Sequence, residues 1–298
     1  MGCRVFSGDI SVIAGTYHKI TWQARSCYGQ VFIALIEASI AKSMKNKTLE
    51  LLKQNKTVVG FIVTIPSYDI AELLSKIGFD YLFFDLEHGS IGFDMLPWLL
   101  AAASGEATPI VRIPSNDPVY AKLALDRGAQ GIIIPQVDTK EDAKKAVRAC
   151  KYPPDGIRGI GPRRPSLYYS NFVDYMKHAN EDVMVIPLIE SITAVNNIEE
   201  IVSVEGVSVL GLGPDDLSAS MGYTYSLPKR EKPVLEAIDK VLEVGQKHGI
   251  PVAMPGGGID GTKEWIRKGC RMVHFGEDTD YMLKMRDDLS KLAAERNR

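Results

Sequence analysis

Residues 57–85 read T-V-V-G-F-I-V-T-I-P-S-Y-D-I-A-E-L-L-S-K-I-G-F-D-Y-L-F-F-D. The stretch holds two apolar runs of strand length, Val58–Ile65 and Tyr81–Asp85, on either side of an amphipathic segment, Asp69–Ile77. Gly78 directly follows that segment and can take the left-handed conformation that ends many helices. The stretch therefore predicts a strand, a helix and a second strand in succession, the unit from which parallel sheets are built.

The same alternation continues to the C-terminus. Six more strand-length runs follow: Pro109–Ile113, Gly131–Val137, Val183–Ile189, Val207–Leu212, Pro251–Met254 and Arg271–Phe275. Helix-like segments lie between them, including Pro118–Arg127, Glu141–Cys150, Pro233–His248 and Thr262–Lys268, and three more glycines, Gly128, Gly249 and Gly269, stand where such helices would end. Eight strand-helix units in about 240 residues predict an α/β fold, a (β/α)8 TIM barrel forming a single domain. A doubly wound open sheet is the alternative, but no G-x-G-x-x-G follows the first strand.

Residues 1–43 differ from the rest of the chain. Their apolar stretch, V-F-I-A-L-I-E-A-S-I-A, is interrupted by Glu37 and is too short to span a bilayer, and no basic segment leads directly into it as in a signal peptide. We expect 1–43 to be a poorly ordered extension or an upstream mis-start, and 44–298 to be the barrel domain, with no attachment to a membrane.

Composition and charge narrow the function classes. The 298 residues are 45% hydrophobic and 24% charged, with 35 basic and 37 acidic residues and a net charge of -2. No Lys/Arg-rich run is interleaved with aromatic residues, so we expect no nucleic-acid partner. The cysteines Cys3, Cys27, Cys150 and Cys270 lack C-x-x-C spacing. They indicate reduced thiols, a cytoplasmic location and a metal site, if any, made of oxygen ligands.

Polar and charged residues gather at the carboxyl ends of the predicted strands, together with glycines and prolines. They are Asp85-Leu86-Glu87-His88, Arg112, Pro135-Gln136, Glu190-Ser191, Gly213-Pro214-Asp215-Asp216, Gly256-Gly257-Gly258 and Glu277-Asp278. The carboxyl ends of barrel strands meet at one face, and enzymes of this fold place their active sites there. The sequence therefore predicts an active site at this face.

Two of these acidic residues indicate a divalent-metal site. Glu190 ends the run V-I-P-L-I-E, and Asp216 ends V-L-G-L-G-P-D-D. A carboxylate beside the end of a buried strand is costly unless a positive charge holds it, and carboxylate oxygens are hard ligands for such ions. No lysine stands at a predicted strand end, so a Schiff-base mechanism is disfavoured.

Five motifs in order, F-F-D-L-E-H-G, I-V-R-I-P-S-N-D-P, P-P-D-G-I-R-G-I-G-P, I-P-L-I-E-S and G-L-G-P-D-D-L-S-A-S-M-G-Y, resemble the HpcH/HpaI family of metal-dependent 2-oxo-acid aldolases. The resemblance covers Met44 to the C-terminus. It implies that Glu190 and Asp216 bind Mg2+, Mn2+ or Co2+. It also implies retro-aldol cleavage of a 4-hydroxy-2-oxo acid to pyruvate and an aldehyde, with the cation stabilising the enolate.

The resemblance also implies the catalytic residues. Arg112 matches the family's essential arginine and would hold the pyruvate oxygen on which negative charge develops. His88 and Asp85 match its acid–base pair, in which the carboxylate orients the imidazole that moves the proton of the C4 hydroxyl. Glu87 matches the same motif, either as a support for the metal's water shell or as a structural acid.

Substrate contacts are predicted at three further places. The segment Gly213-Pro214-Asp215-Asp216 lies before a short helix that we expect to start near Leu217, and its amide N–H groups would receive the pyruvate carboxylate. Leu188 stands where many relatives have glutamine and so removes a polar group that could contact the substrate or orient a ligand. Either the substrate preference has shifted or the activity has weakened. In the loop I-R-G-I-G-P-R-R-P-S-L-Y-Y, Arg163 and Arg164 either bind the distal part of the aldehyde half or remain solvated.

Two rival functions stay open. A CoA-ester lyase of the same superfamily would need a basic groove for nucleotide phosphates, and Gly256-Gly257-Gly258 faces the acidic Glu277, Asp278 and Asp280 instead. A non-catalytic metabolite binder would keep the metal and pyruvate sites without turnover. The resemblance further implies a homo-oligomer, a hexamer in relatives, in which the tail Tyr281–Glu295 packs on a neighbouring copy.

Overall fold

The computed structural model describes residues 45–103, 107–223 and 231–296. Eight parallel strands form a closed barrel in which each strand pairs with its neighbours in sequence and the last pairs with the first. They are β1 Val58–Val63, β2 Tyr81–Asp85, β3 Thr108–Arg112, β4 Gly131–Ile134, β5 Met184–Ile189, β6 Leu210–Leu212, β7 Val252–Pro255 and β8 Met272–Glu277. The predicted α/β fold, a (β/α)8 barrel, is confirmed.

Helices precede, connect and follow these strands. In the described part of the chain they are α1 Lys47–Lys53, α2 Tyr68–Ile77, α3 Leu96–Ala102, α4 Pro118–Asp126, α5 Lys140–Cys150, α6 Phe172–Asp182, α7 Ile192–Asn196, α8 Ile198–Val202, α9 Pro214–Ser220, α10 Lys232–His248, α11 Ile259–Arg267 and α12 Asp278–Arg296. No helix among the described residues combines the length and the hydrophobicity needed to cross a membrane.

Local sequence signals explain where several helices begin and end. The Ser67 side chain accepts a hydrogen bond from the Ile70 amide at the start of α2, and Thr139 and Asp142 form a reciprocal capping box at the start of α5. All four glycines predicted to end helices have positive φ angles: Gly78, Gly128, Gly249 and Gly269. The connections between strands are therefore encoded locally as well as by packing.

Two apolar layers hold the barrel together. The larger lies between the strands and the surrounding helices and includes Leu82, Phe84, Val111 and Ile132. The smaller fills the barrel interior with side chains that alternate with these, such as Tyr81, Phe83, Ile110 and Ile133. Because successive side chains of a strand point to opposite faces, strands buried on both sides read as continuous apolar runs.

Helix α1 covers the amino-terminal end of the barrel. Leu49 and Leu52 join the interior layer. The Asn46 side-chain amide donates to the carbonyl oxygens of Gln130 (2.9 Å) and Asp182 (3.0 Å), just before β4 and β5. These hydrogen bonds satisfy backbone groups at the strand entrances, so α1 closes this end with apolar and polar contacts together.

Some elements differ from the predictions. Helices α3, α6, α7 and α8 were not predicted, and α9 begins at Pro214 rather than near Leu217. The predicted strand Val207–Leu212 is reduced to the three residues of β6. The extension predicted for 1–43, with Cys3 and Cys27, lies outside the described residues, so that part of the domain organisation stays a prediction.

Candidate active site

Asp85 and Arg112 form an ion pair at the carboxyl-terminal face of the barrel. They are the last residues of β2 and β3, and the register of the two strands places them side by side. Arg112 Nε donates to Asp85 Oδ1 at 2.9 Å, and Arg112 Nη2 donates to Asp85 Oδ2 at 2.6 Å. This bidentate pair gives the guanidinium a fixed position, which a single charge contact would not do.

The Asp85 carboxylate also organises the loop that follows β2. Its Oδ1 accepts the backbone amides of Glu87 (3.0 Å) and His88 (3.3 Å). Burial alone would raise the pKa of Asp85, but the hydrogen bond and charge of Arg112 outweigh it and lower the pKa below its ordinary value. Asp85 is therefore a buried anion that fixes Arg112 and the start of the loop.

The predicted contact between Asp85 and the His88 imidazole differs from the structure. Asp85 contacts His88 through the backbone amide, and His88 Nε2 lies 3.7 Å from Glu87 Oε2. The reason is that both Asp85 oxygens face Arg112. The imidazole itself is 63% exposed at the mouth of the barrel, the open side of its carboxyl-terminal face.

Glu87 lies between Arg112 and His88. Its Oε2 is 3.3 Å from Arg112 Nε, yet this buried oxygen has no hydrogen-bond partner among the described residues. Burial raises the pKa of Glu87, Arg112 and His88 oppose that rise, and the charges of Asp85 and Asp216 add to it. The acidic groups of this face are thus close enough to repel one another.

Glu190 directly follows β5 and is 9% exposed. Its Oε1 accepts the backbone amide of Gln136 at 2.6 Å. Burial raises its pKa to about 7, and the charges of Glu87 and Asp216 act in the same direction. Gln136 has a φ of 55°, rare for a residue with a side chain, and this turn directs its amide toward Glu190. The contact of the Gln136 amide with Glu190 could not be predicted from the sequence, because neither composition nor spacing indicates a positive φ at a glutamine.

Gly213 packs directly against Glu190. A Cβ atom at this position would lie 2.7 Å from Glu190 Cβ and 2.9 Å from Glu190 Oε2. The close approach therefore requires glycine. It brings the start of α9, which carries Asp216, beside the strand end that carries Glu190.

These carboxylates fit a divalent cation. Glu87 Oε2 is buried without a hydrogen-bond donor, and Glu190 is destabilised as an anion by burial and by two acidic neighbours. A bound cation would remove both costs. Among the described residues, no group of three or more His, Cys, Asp or Glu side chains has a metal-binding arrangement. The assignment of Glu190 and Asp216 as protein ligands stays a prediction from the sequence. Asp216 is exposed at the carboxyl-terminal face.

The turn predicted to receive the pyruvate carboxylate offers fewer amide donors than expected. The Gly213 amide donates to the Ile189 carbonyl at 3.1 Å, and Pro214 has no N–H. Any backbone contact from this turn to a substrate would therefore come from Asp215 and Asp216. The difference arises because α9 begins at Pro214, which commits Gly213 to pairing with the strand end.

Leu188 lies one layer below Glu190. It is 6% exposed and belongs to the interior layer, and its Cδ1 would lie 3.0 Å from a Cβ at Gly211. Side chains two apart on a strand share one face. Leu188 therefore forms an apolar floor beneath Glu190, and its predicted effect on a substrate contact remains untested.

Arg163 and Arg164 do not join these residues within one chain. Arg164 Nε lies 3.3 Å from a Cβ built at Gly128, which precedes β4 at the opposite end of the barrel, and Arg163 is exposed. Arg158 holds this loop against α4 through a 2.7 Å ion pair with Asp126. The predicted contact with the aldehyde half therefore does not fit the position of the loop in a single chain.

A (β/α)8 barrel with carboxylates, an arginine and a histidine at its carboxyl-terminal face has the arrangement of a barrel enzyme. Comparisons with known proteins agree. The sequence model of the HpcH/HpaI aldolase/citrate lyase family matches residues 60–284. A 4-hydroxy-2-oxo-heptane-1,7-dioate aldolase of Shigella flexneri is 35% identical over 251 residues, covering 83% of this chain and 92% of the relative.

A hydroxypyruvate/pyruvate aldolase of Sagittula stellata is 36% identical over 209 residues, covering 69% of this chain and 83% of the relative. A solved HpcH/HpaI aldolase/citrate lyase family protein from Burkholderia cenocepacia has a TM-score of 0.79 at 30% identity, covering 84% of this chain and 100% of that one. The chain belongs to the HpcH/HpaI aldolase/citrate lyase family. The predicted resemblance and the lyase class are confirmed.

Proposed function

We propose that this chain is a class II, metal-dependent aldolase that cleaves a 4-hydroxy-2-oxo acid to pyruvate and an aldehyde. The observation that carries the proposal is the position of Arg112, which is held by Asp85, lies 3.3 Å from Glu87 and interacts electrostatically with Glu190. The Arg112 guanidinium is a positive group held in place by carboxylates, and an exposed histidine lies nearby. This arrangement suits a reaction that transfers a proton and develops negative charge on an oxygen atom.

Arg112 binds the 2-oxo acid end of the substrate. Its Nε and Nη2 donate to Asp85, whereas Nη1 has no hydrogen-bond partner in the described part of the chain. Burial lowers the pKa of Arg112, but Asp85 and Glu87 raise it further, so the group stays cationic. The oxygen at C2 becomes negatively charged when the bond between C3 and C4 breaks, and a preoriented donor stabilises that charge.

His88 moves the proton. In the cleavage direction it accepts the proton of the C4 hydroxyl, the bond between C3 and C4 breaks, and the electron pair passes to the C2 oxygen. The products are an aldehyde and the pyruvate enolate, which takes a proton at C3. Protonated His88 gives up the proton it accepted, which restores the neutral histidine for the next turnover. The exposed imidazole is at the mouth, and the hydrogen bond from its backbone amide to Asp85 fixes the loop that presents it.

Glu190 and Asp216 would hold the divalent ion, which is Mg2+, Mn2+ or Co2+ in this proposal. When bound, the ion supplies Lewis-acid stabilisation of the charge that develops on the substrate. The Gln136 amide holds Glu190 in place through one carboxylate oxygen. Gly213 leaves room for the other oxygen to approach α9.

Pyruvate release tests the proposal. The wild type, Glu190→Gln and Arg112→Ala are assayed with 4-hydroxy-2-oxoheptanedioate and a panel of other 4-hydroxy-2-oxo acids, in EDTA and with each of the three ions. We expect release that depends on the ion and is lost in both variants. Release that persists in EDTA would overturn the metal-dependent mechanism.

The same assay separates the rival functions. A CoA-ester lyase would release no pyruvate from free oxo acids but would cleave malyl-CoA or citramalyl-CoA. A metabolite binder would bind pyruvate and the ion without turnover, and would not exchange the methyl protons of pyruvate with solvent deuterium. Metal-dependent exchange seen by proton NMR supports the aldolase function even if the natural aldehyde is missing from the panel.

We further propose that the chain forms a homo-oligomer through α12. Tyr281, Met285, Leu289 and Leu292 fall on one face of this helix by their spacing and are between 38% and 65% exposed. A second copy would cover this face. We expect Leu289→Glu to lower the mass measured by light scattering. The control is Asp287→Lys, a charge change at an exposed position on the opposite side of the helix, which should leave the mass unchanged. The cytoplasmic location stays a prediction.

A further inference from the structure

Asp278, the first residue of α12, makes more hydrogen bonds than a helix start requires. It is 6% exposed. Its Oδ2 accepts the amides of Thr64 (2.9 Å) and Ile65 (3.0 Å). Its Oδ1 accepts the Thr64 hydroxyl (2.6 Å) and the Thr279 amide (3.0 Å). The carboxylate therefore joins the end of β8 to the chain just after β1.

The pairing of β1 with β8 explains why a side chain does this work. Their register shifts between Gly60 and Ile62, and Ile62 pairs with Glu277. Beyond that irregularity the amides of Thr64 and Ile65 donate hydrogen bonds to the Asp278 carboxylate instead of to a neighbouring strand. Buried amides need acceptors, so the carboxylate completes the barrel at this seam.

Thr64 in turn contacts the loop that carries His88. Its carbonyl oxygen accepts the Ser90 amide at 3.1 Å. Gly89 fits so closely that a Cβ there would lie 2.4 Å from the Asp85 carbonyl oxygen and 3.2 Å from Thr64 Cα. The loop is thus held at its start by Asp85 and at its end by Thr64.

We propose that Asp278 is a positioning residue: its carboxylate fixes Thr64, and the Thr64 carbonyl fixes the loop Glu87–Ser90 that presents His88. The Asp85 carboxylate secures one end of this loop, and Asp278 secures the other end from across the barrel seam. The kinetic part of this inference rests on the proposed aldolase function, whereas the structural part does not.

Hydrogen exchange tests the structural part. Asp278→Asn replaces one acceptor oxygen with a donor, so at least one of the bonds to Thr64, Ile65 or Thr279 is lost. We expect the Ser90 amide to exchange about tenfold faster in this variant, measured by mass spectrometry on peptides that span the loop. The matched control is Asp280→Asn, because Asp280 is exposed in the same helical turn. Its exchange should equal the wild type.

Kinetics test the positioning role. We expect Asp278→Asn to lower kcat about 10- to 100-fold, since small displacements of a reacting group cost this much. KM for the oxo acid and the affinity for Mn2+ should stay within about twofold, because Arg112, Glu190 and Asp216 lie outside the segment. A purely structural role would instead raise exchange throughout the barrel.

Three results would overturn the proposal: unchanged Ser90 exchange in a folded Asp278→Asn, faster exchange spread over all strands, or equal effects of Asp278→Asn and Asp280→Asn. If Asp278→Asn does not fold, Thr64→Val and Thr64→Ser replace it. Loss of the hydroxyl in Thr64→Val should speed Ser90 exchange and Thr64→Ser should restore it, whereas identical exchange in the two variants would overturn the proposal. An inactive wild type would contradict the aldolase function, and the exchange result would still decide on Asp278.

Discussion

Asp85 and Arg112 are joined by two parallel hydrogen bonds, of 2.9 and 2.6 Å, at the ends of adjacent strands. Both carboxylate oxygens of Asp85 accept hydrogen bonds from the guanidinium, and one of them also accepts loop amides. The His88 imidazole therefore lies beside Glu87 instead of Asp85. Asp85 therefore acts on the site through Arg112 and the loop backbone. Its contribution to catalysis, if the proposed function holds, is the placement of a cation.

We expect Asp85→Asn to lower kcat/KM about 100-fold, because an amide cannot accept both Arg112 bonds and the arginine loses its fixed position. The change should also lower the free energy of unfolding by about 3 kcal/mol, since a buried cation loses its paired charge. Pyruvate release and urea denaturation measure the two effects. Asp142→Asn, at an exposed helix cap, is the control; a similar loss there would contradict the assignment.

The raised pKa of Glu190 predicts that the metal-free protein loses stability as pH rises toward 7. Its pKa is about 7 in the folded chain and 4.5 ordinarily, so between these values the folded chain binds more protons than the unfolded chain. The free energy of unfolding of the metal-free protein therefore falls as pH rises from about 4.5 to 7, by about 3 kcal/mol from this group.

Glu190→Gln removes this titration. In EDTA at pH 8 we expect the variant to be about 3 kcal/mol more stable than the wild type, and the difference to vanish near pH 4.5. Mn2+ should stabilise the wild type at pH 8 and leave the variant unchanged, and its effect on the wild type should weaken below about pH 7 as protons compete for the carboxylate. A variant less stable than the wild type at pH 8 would contradict the burial cost of the anion.

Gly213→Ala tests the packing of α9 against Glu190. The added methyl group would lie 2.7 Å from Glu190 Cβ, so the glutamate or the helix must move. We expect Mn2+ affinity and kcat/KM each to fall at least about tenfold, with far-UV circular dichroism unchanged. Gly159→Ala is the matched control because its nearest atom, Lys122 Cδ, would be 3.7 Å away. Equal behaviour of the two variants would refute the close-packing argument.

Tyr81→Phe tests the polar pair inside the barrel. The Tyr81 hydroxyl and His274 Nδ1 are 2.8 Å apart, and burial lowers the pKa of His274 to about 3, so the ring is neutral. Loss of the hydroxyl leaves a buried ring nitrogen without its hydrogen-bond partner. We expect the free energy of unfolding, measured by urea denaturation, to fall by about 1–3 kcal/mol. Tyr68→Phe, at an exposed position, should change stability by less than about 0.5 kcal/mol.

All eight strands were predictable, because strands buried on both faces are written as continuous apolar runs. β2 matches its predicted bounds, Tyr81–Asp85. β6 was overestimated because Val207 and Val209 are buried without belonging to the ladder, and burial and strand pairing give the same apolar signal. The short helices α7 and α8 have five residues each, too few for periodicity to show.

The candidate site was predictable as a set of residues and less so as a set of contacts. Strand ends predicted Asp85, Arg112 and Glu190 at one face, but their pairing depends on register, which a run of apolar residues does not encode. The position of the loop with Arg163 and Arg164 is set by an ion pair between Arg158 and Asp126. These two residues are 32 positions apart in the sequence, so their contact is seen only in the folded chain. Family resemblance supplied roles that these contacts refine.

Helix α1 closes the amino-terminal end of the barrel, and the interior layer fills the space above it. If the chain cleaves an oxo acid at the opposite face, substrate entry and product exit share one opening, past His88 and Arg112. Product release is then ordered. The aldehyde leaves first, and pyruvate, which Arg112 binds, leaves second. Pyruvate should then inhibit competitively with the oxo acid, and the aldehyde should inhibit noncompetitively.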